Sequence, residues 1–304
     1  MTNSSSPQPS SPQPPAPDSS RTAHPWLRLM RLDKPIGTYL LLWPTLWALW
    51  FASAGRPSAA NLLIFCLGVI VMRAAGCVIN DYADRHVDGD VERTCLRPLP
   101  SGEVRPSTAL ALFFALLLIA LVLVLLTNKL TIMLAFGGAA AATLYPFLKR
   151  FTHWPQLGLG IAWAWSTPMA FAAHNNTLAP QLWVIFAAVT FWTIAFDTYY
   201  AMVDREDDLL IGIKSTAILF GRYDLLIITL LQLAVLLLMG VAGVLFGRGP
   251  MYFSALAVAA AYFINQHLVS RGRDREACFK AFLSNHRVGM VIFIGLAADY
   301  MINP

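Results

Sequence analysis

Asn80-Asp81-Tyr82-Ala83-Asp84-Arg85-His86-Val87-Asp88 closes an apolar run that begins near residue 60. The run and the motif are one feature. A helix of about 20 mostly apolar residues crosses the hydrocarbon of a bilayer, and 60–79 meets that length. The nine residues that follow carry three carboxylates and one carboxamide. If the helix continues past the interface, Asn80, Asp84 and Asp88 fall at i, i+4 and i+8 on one face. Like charges at that spacing repel, so a cation is expected to offset them. Carboxylate and amide oxygens are hard donors and suit Mg2+, which keeps waters and shares substrate phosphates rather than filling an all-protein cage.

Outward from that stretch the chain repeats the same grammar. Of its 304 residues 57% are hydrophobic and 13% charged, with mean hydropathy +0.58. A soluble domain carries about 25% charge. Nine apolar stretches predict membrane spans at 36–54, 60–79, 107–127, 130–148, 157–174, 181–200, 224–246, 250–268 and 287–303. The expected fold class is all-α, a polytopic membrane protein with nine transmembrane helices; the central cavity they would surround comes from the family resemblance given below. Eighteen of the 22 Lys and Arg fall in the segment up to Lys34 and in the loops 80–106, 149–156, 201–223 and 269–287. Only Arg56, Lys129 and Arg248 belong to the other side. The positive-inside bias puts the N-terminus and the acidic-motif loops in the cytoplasm. Topology thus accounts for the net charge of +5, and no nucleic-acid partner is expected. Residues 1–25 are rich in Ser, Pro and Gln and read as a disordered tail before a single membrane domain, 26–304. The tail has neither the apolar core of a secretory signal nor an amphipathic repeat, which favours a bacterial inner membrane. Cys66, Cys77, Cys95 and Cys278 are scattered and define no zinc site or disulfide framework.

A second acidic cluster runs from Asp197 to Asp208, with Asp204 and Asp208 again at i, i+4. Together 81–103 and 197–208 hold eleven of the seventeen acidic residues. Each cluster follows an even-numbered predicted span, the second and the sixth. That placement suggests two related four-helix halves, each supplying one acidic end. A single cluster reads equally well as a solvated loop. Two at matching places in a charge-poor chain point to paired Mg2+ sites around one diphosphate, whose departure the ions would assist. Basic groups accompany them: Arg93 and Arg97 after the first, Lys214 after the second, and Tyr145 and Lys149 at i, i+4 ending the fourth span. Each is a candidate for charge-assisted bonds to diphosphate oxygens, and each also reads as an ordinary inside-facing charge. Arg73 sits within an apolar helix, about two turns before Asn80, and is expected to reach a polar cavity. His86 reads as a loop residue. Trp43, Trp47, Trp50, Trp163, Trp165 and Trp192 read as belt or bundle packing.

In this order and on these helices the two motifs resemble the UbiA-type membrane prenyltransferase superfamily. Arg31-Leu32-Asp33-Lys34-Pro35-Ile36-Gly37, the stretch Leu42–Trp50 and the stretch Ile211–Gly221 match as well. The likeness is strongest to the branch that prenylates 4-hydroxybenzoate in ubiquinone biosynthesis. The resemblance implies a nine-span helical fold with a cavity open to membrane lipid. Its substrates would be a polyprenyl diphosphate and 4-hydroxybenzoate. It implies Mg2+ ligation by Asn80, Asp84, Asp88, Asp204 and Asp208, diphosphate contacts from Tyr145 and Lys149, and a substrate role for Arg73. Whether Asp204 or Asp208 serves as ligand or as base stays open, as do chain length and oligomeric state. A different aromatic acceptor is the nearest alternative. A cation-coupled transporter is the alternative from another class, although its coupling carboxylates are expected near the membrane midplane.

Overall fold

The computed structural model describes residues 23–86 and 94–303. The tail up to residue 22 lies outside the described residues, as do Asp88 and Arg93. Thirteen α-helices and two short 3-10 turns make up the described secondary structure, with no strand among the described residues. The helices are α1 (Pro25–Leu29), α2 (Ile36–Ala52), α3 (Ala59–Asp84), α4 (Pro106–Leu125), α5 (Lys129–Leu148), α6 (Pro155–Ala164) and α7 (Ser166–Asn175). They continue as α8 (Leu182–Val203), α9 (Arg205–Ile211), α10 (Thr216–Phe220), α11 (Asp224–Leu245), α12 (Pro250–Val269) and α13 (Arg275–Ile302).

Every apolar stretch expected to span is helical. Seven helical runs are long and apolar enough to cross a membrane: 59–84, 106–125, 129–148, 182–203, 216–245, 250–272 and 275–302. The fold is that of a multi-pass membrane protein. Two of the nine expected spans depart from a simple rod. Helix α2 has only 17 residues. The stretch predicted at 157–174 is broken at Trp165 into α6 and α7. Pro168 explains the break, because it has no N–H to offer the Ala164 carbonyl four residues back. Trp165 then turns its indole onto Gly137 and Gly138 of α5, where a methyl group would lie 2.7 and 2.8 Å from the ring. Its Nε1 donates to the Leu134 carbonyl at 2.8 Å. The glycine pair is what lets the broken segment close on α5.

Helix α3 runs 26 residues and carries its last turn through the acidic motif. Ser58 starts it, its hydroxyl accepting from the Asn61 N–H at 3.1 Å. The core lies between α2, α8, α11, α12 and α13. Trp47 and Trp192 are fully buried there, with ring centroids 5.2 Å apart. Trp47 Nε1 donates to the Gly289 carbonyl and Trp192 Nε1 to Asn285 Oδ1, both at 3.0 Å. These two tryptophans are bundle packing, as expected, with their polar edges satisfied.

Candidate active site

The ends of α3, α5 and α8 converge on one polar cavity of about 570 Å3. Arg73, Asn80 and Asp84 enter it from α3, Tyr145 and Lys149 from the end of α5, Asp204 from the α8–α9 junction, Asp208 from α9, and Lys214 from the turn after it. Nine of the eleven side chains singled out from sequence, Arg97 among them, therefore border a single cavity; the other two, Asp88 and Arg93, lie outside the described residues. The two acidic clusters are about 120 residues apart in the chain, yet they border the same space.

The cavity is electrostatically crowded. Asp84 is buried at 2% exposure, and Lys149 Nζ lies 2.5 Å from its Oδ2. Arg150 donates to the Ala83 carbonyl, so the end of α5 grips the end of α3 twice. The Lys214 backbone N–H donates to the Lys149 carbonyl at 3.0 Å, tying the turn after α9 to the same point. Asp81 borders the same cavity as Asn80 and Asp84, but its carboxylate is taken up by arginines. It is buried between Arg31 and Arg97, which reach its carboxylate at 3.0 and 3.1 Å. Arg28 joins the knot through Glu103 and the Leu96 carbonyl, both at 2.8 Å. These bonds fasten α1 and the 94–104 loop over the cavity, and they leave Arg31 and Arg97 among its lining residues.

A second knot fixes the other acidic end. Asp224, at the start of α11, is fully buried and takes Arg205 and Arg273. Arg205 immediately follows Asp204, so the knot anchors the junction that carries the site. Hydrogen bonding to Asp224 holds the Arg273 guanidinium above its ordinary pKa. Arg275 adds rim contacts to Glu206 and Asp207 at 2.9 and 3.3 Å.

Arg73 reaches the cavity, as its place in an apolar helix predicts. Its Nε is buried and has no hydrogen-bond partner among the described residues, and the guanidinium lies 5.9 Å from the centroid of the Trp163 ring. Gly37 makes the room, since a side chain there would overlap the guanidinium. Arg31, Gly37, Trp163 and Asp197 also line this wall, the last from near the C-terminal end of α8, and none of them had been assigned a ligand or substrate role from sequence. Trp163 packs on Phe196 in the core, as expected of bundle packing, and lines the cavity as well. The intramembrane Asp197 was the one with a legible signal, an acid within an apolar span.

The donor set is all oxygen: Asn80, Asp84, Asp204 and Asp208. Among the described residues no three His, Cys, Asp or Glu side chains converge to hold an ion unaided. Hard donors in facing pairs, with open space between, fit Mg2+ completed by water and substrate phosphate.

The UbiA prenyltransferase family model matches residues 41–294. A 4-hydroxybenzoate octaprenyltransferase of Ectopseudomonas mendocina is 56% identical over 286 residues, covering 93% of this chain and 97% of that protein. A protein of the same name from Sodalis glossinidius is 58% identical over 271 residues, covering 89% and 93%. Among solved structures, a UbiA homologue from Aeropyrum pernix superposes with TM-score 0.73 at 26% identity, over 84% of this chain and 97% of that one. One from Archaeoglobus fulgidus, bound to GPP and Mg2+, superposes with TM-score 0.73 at 18% identity, over 92% and 100%, and shares the fold. With motifs, cavity and relatives in agreement, the chain belongs to the UbiA prenyltransferase family.

Proposed function

We propose that this protein transfers a polyprenyl group from polyprenyl diphosphate to 4-hydroxybenzoate, ortho to the hydroxyl, releasing diphosphate, as a step of ubiquinone biosynthesis. The observation that carries the reading is the meeting of two acid-bearing helix ends, Asn80/Asp84 and Asp204/Asp208, in one cavity with Lys149 and Arg73. The names of the relatives at 55–58% identity support the same acceptor and donor.

Asn80, Asp84, Asp204 and Asp208 would hold Mg2+ with the diphosphate, and Asp88 would extend the first set. When bound, Mg2+ would supply positive charge against the charge that develops on the departing diphosphate. Lys149, Lys214, Arg97 and Tyr145 are placed to donate to diphosphate oxygens, and Arg93 joins them by its position after the first motif. Arg73 offers a buried guanidinium to the carboxylate of the aromatic acid. The allylic C–O bond breaks and its electron pair leaves with the diphosphate. The ring carbon beside the hydroxyl bonds to the allylic carbon, and the ring proton departs to restore aromaticity. Apolar walls around Trp163 and Leu159 keep water from the allylic centre. The chain's own contribution is orientation and fixed charge. The protein would sit in a bacterial inner membrane, and the positive-inside bias puts the N-terminus and the acidic ends on its cytoplasmic side. Residues 26–304 act as one domain behind the Ser/Pro/Gln-rich tail.

The deciding assay supplies membranes containing the protein with Mg2+, 4-hydroxybenzoate and prenyl diphosphates of several lengths, read by mass spectrometry. A 3-polyprenyl-4-hydroxybenzoate is the expected product. Its absence with every donor, or product only from another aromatic acid, rejects the reading. Cation-driven uptake into proteoliposomes without prenylated product would instead mark a transporter.

A further inference from the structure

Asp197 is a cavity acid that neither the metal-binding set nor a knot of arginines accounts for. It stands half-buried on α8, seven residues before Asp204. That spacing is about two helical turns, ~10 Å along the axis, on nearly the same face. Arg73 holds the matching place on α3, seven residues before Asn80. Both helices bring their C-terminal ends to the acid-bearing rim. Arg73 and Asp197 therefore lie at like depth, two turns inside it.

The two charges share a cavity without joining. No ion pair links them, and Asp197 makes no hydrogen bond among the described residues. The buried Arg73 Nε is likewise unpartnered. The charges that act on Asp197 through space are Arg73 on α3, Lys149 on α5 and Asp204 on its own helix. Cys77, Tyr145 and Tyr200 complete the titratable groups around the guanidinium. Asp84, Asp204 and Asp208 belong to the rim, and Asp81 is taken by Arg31 and Arg97. Among the described residues that line the cavity, Asp197 is the carboxylate at the depth of Arg73.

A guanidinium and a carboxylate left apart in such a space each lack the partner that would offset desolvation. One ligand satisfies both if it has an anion at one end and a hydrogen-bond donor at the other. 4-Hydroxybenzoate has that form, with carboxylate and hydroxyl at opposite ends of a flat ring. Tyr145 and Trp163, which border this depth and also a second, apolar cavity of about 490 Å3, offer walls for the ring.

We propose that Asp197 receives the hydroxyl of the acceptor whose carboxylate Arg73 holds, and takes the hydroxyl proton as the ring attacks. The inference rests on the prenyl-transfer reading and adds a catalytic residue to it. The O–H bond breaks, its proton passes to an Asp197 carboxylate oxygen, and the electron pair is released into the ring. The carbon beside the oxygen bonds to the allylic carbon, and the C–O pair leaves with the diphosphate. The dienone so formed loses the proton on that carbon to a diphosphate oxygen, and Asp197 returns its own proton to the ring oxygen. The sum is prenylated phenol, protonated diphosphate and Asp197 as it began. The same contact selects the acceptor, because an aromatic acid without a para hydroxyl leaves Asp197 unmatched.

The test is Asp197→Asn, assayed with 4-hydroxybenzoate and with 3-fluoro-4-hydroxybenzoate, whose hydroxyl is more acidic and whose other ortho carbon is free. The amide still accepts a hydrogen bond but takes no proton. With 4-hydroxybenzoate kcat is expected to fall at least about 10²-fold while KM stays within about threefold of wild type. With the fluorinated acid the loss in kcat should be at least about fivefold smaller. Undiminished kcat, equal losses with both acceptors or an effect on KM alone overturns the proposal, since a residue that only positions Arg73 is blind to phenol acidity. Competition on the wild-type protein decides the matter if the variant does not fold. Benzoate should displace labelled 4-hydroxybenzoate at least about tenfold more weakly than the unlabelled acid does, and equal displacement rules out the hydroxyl contact. Wild-type protein that turns over no prenyl diphosphate would refute the prenyl-transfer reading itself, which is a separate result.

Discussion

Gly37 of α2 lies directly beneath the guanidinium of Arg73 on α3, so close that a single added methyl would overlap Nε and Nη2. The glycine is a cradle, and it lets a charged side chain tuck between two apolar helices and reach the cavity. Gly37→Ala should push Arg73 off its position and raise the KM for 4-hydroxybenzoate about tenfold. The diagnostic comparison is with Arg73→Ala. If Gly37 acts only through Arg73, the double variant is no worse than Arg73→Ala alone. Additive losses would assign Gly37 a different role.

Asp84 and Asp204 face the same cavity from opposite parts of the chain. Replacing either by Asn preserves shape and removes charge. Each change is expected to lower transfer at least about 10²-fold while the purified protein stays helical and monodisperse. Full turnover in either variant would remove that residue from the metal-binding set.

Lys149 rests on Asp84, so under the proposed function its ammonium would compete with Mg2+ for that carboxylate and would turn to the diphosphate when one binds. Chelation should abolish turnover and Mg2+ should restore it. In Lys149→Met the KM for the prenyl diphosphate should rise about tenfold, with no increase in the Mg2+ needed for half-maximal rate. A variant that needs more Mg2+ would show that Lys149 supports the metal rather than the diphosphate.

Asp224 is buried between Arg205 and Arg273. Asp224→Ala strands two guanidinium groups, and losing one partner of a buried pair costs about 3–5 kcal/mol. Thermal unfolding in detergent should shift down clearly. Asp224→Asn, which keeps hydrogen-bond acceptance, should lose less. Equal Tm values for wild type and Asp224→Ala would mean the knot does not hold the α8–α9 junction.

Sequence alone determined that this chain is an all-helical membrane protein and where most of its helices run, because the cost of bare backbone in hydrocarbon leaves long apolar segments one stable form. It also singled out Asn80, Asp84, Asp204 and Asp208 as candidate ligands, since hard acidic donors at i, i+4 on a span end stand out against a charge-poor background, and all four border one cavity. Tertiary structure decided everything that depends on distant residues meeting. Asp81 looked like its neighbours in the motif but turns into a knot with Arg31 and Arg97. Trp163 is packing, as it looked, and only the fold shows that it also borders two cavities. Gly37 had no chemistry of its own until Arg73 came to lie on it. The break at Trp165 needed both Pro168 and the glycine pair of α5. Helical periodicity encodes which residues share a face, and it says nothing of what stands opposite that face. The packing of one helix against another supplies that information, including where packing is left incomplete and a cavity remains.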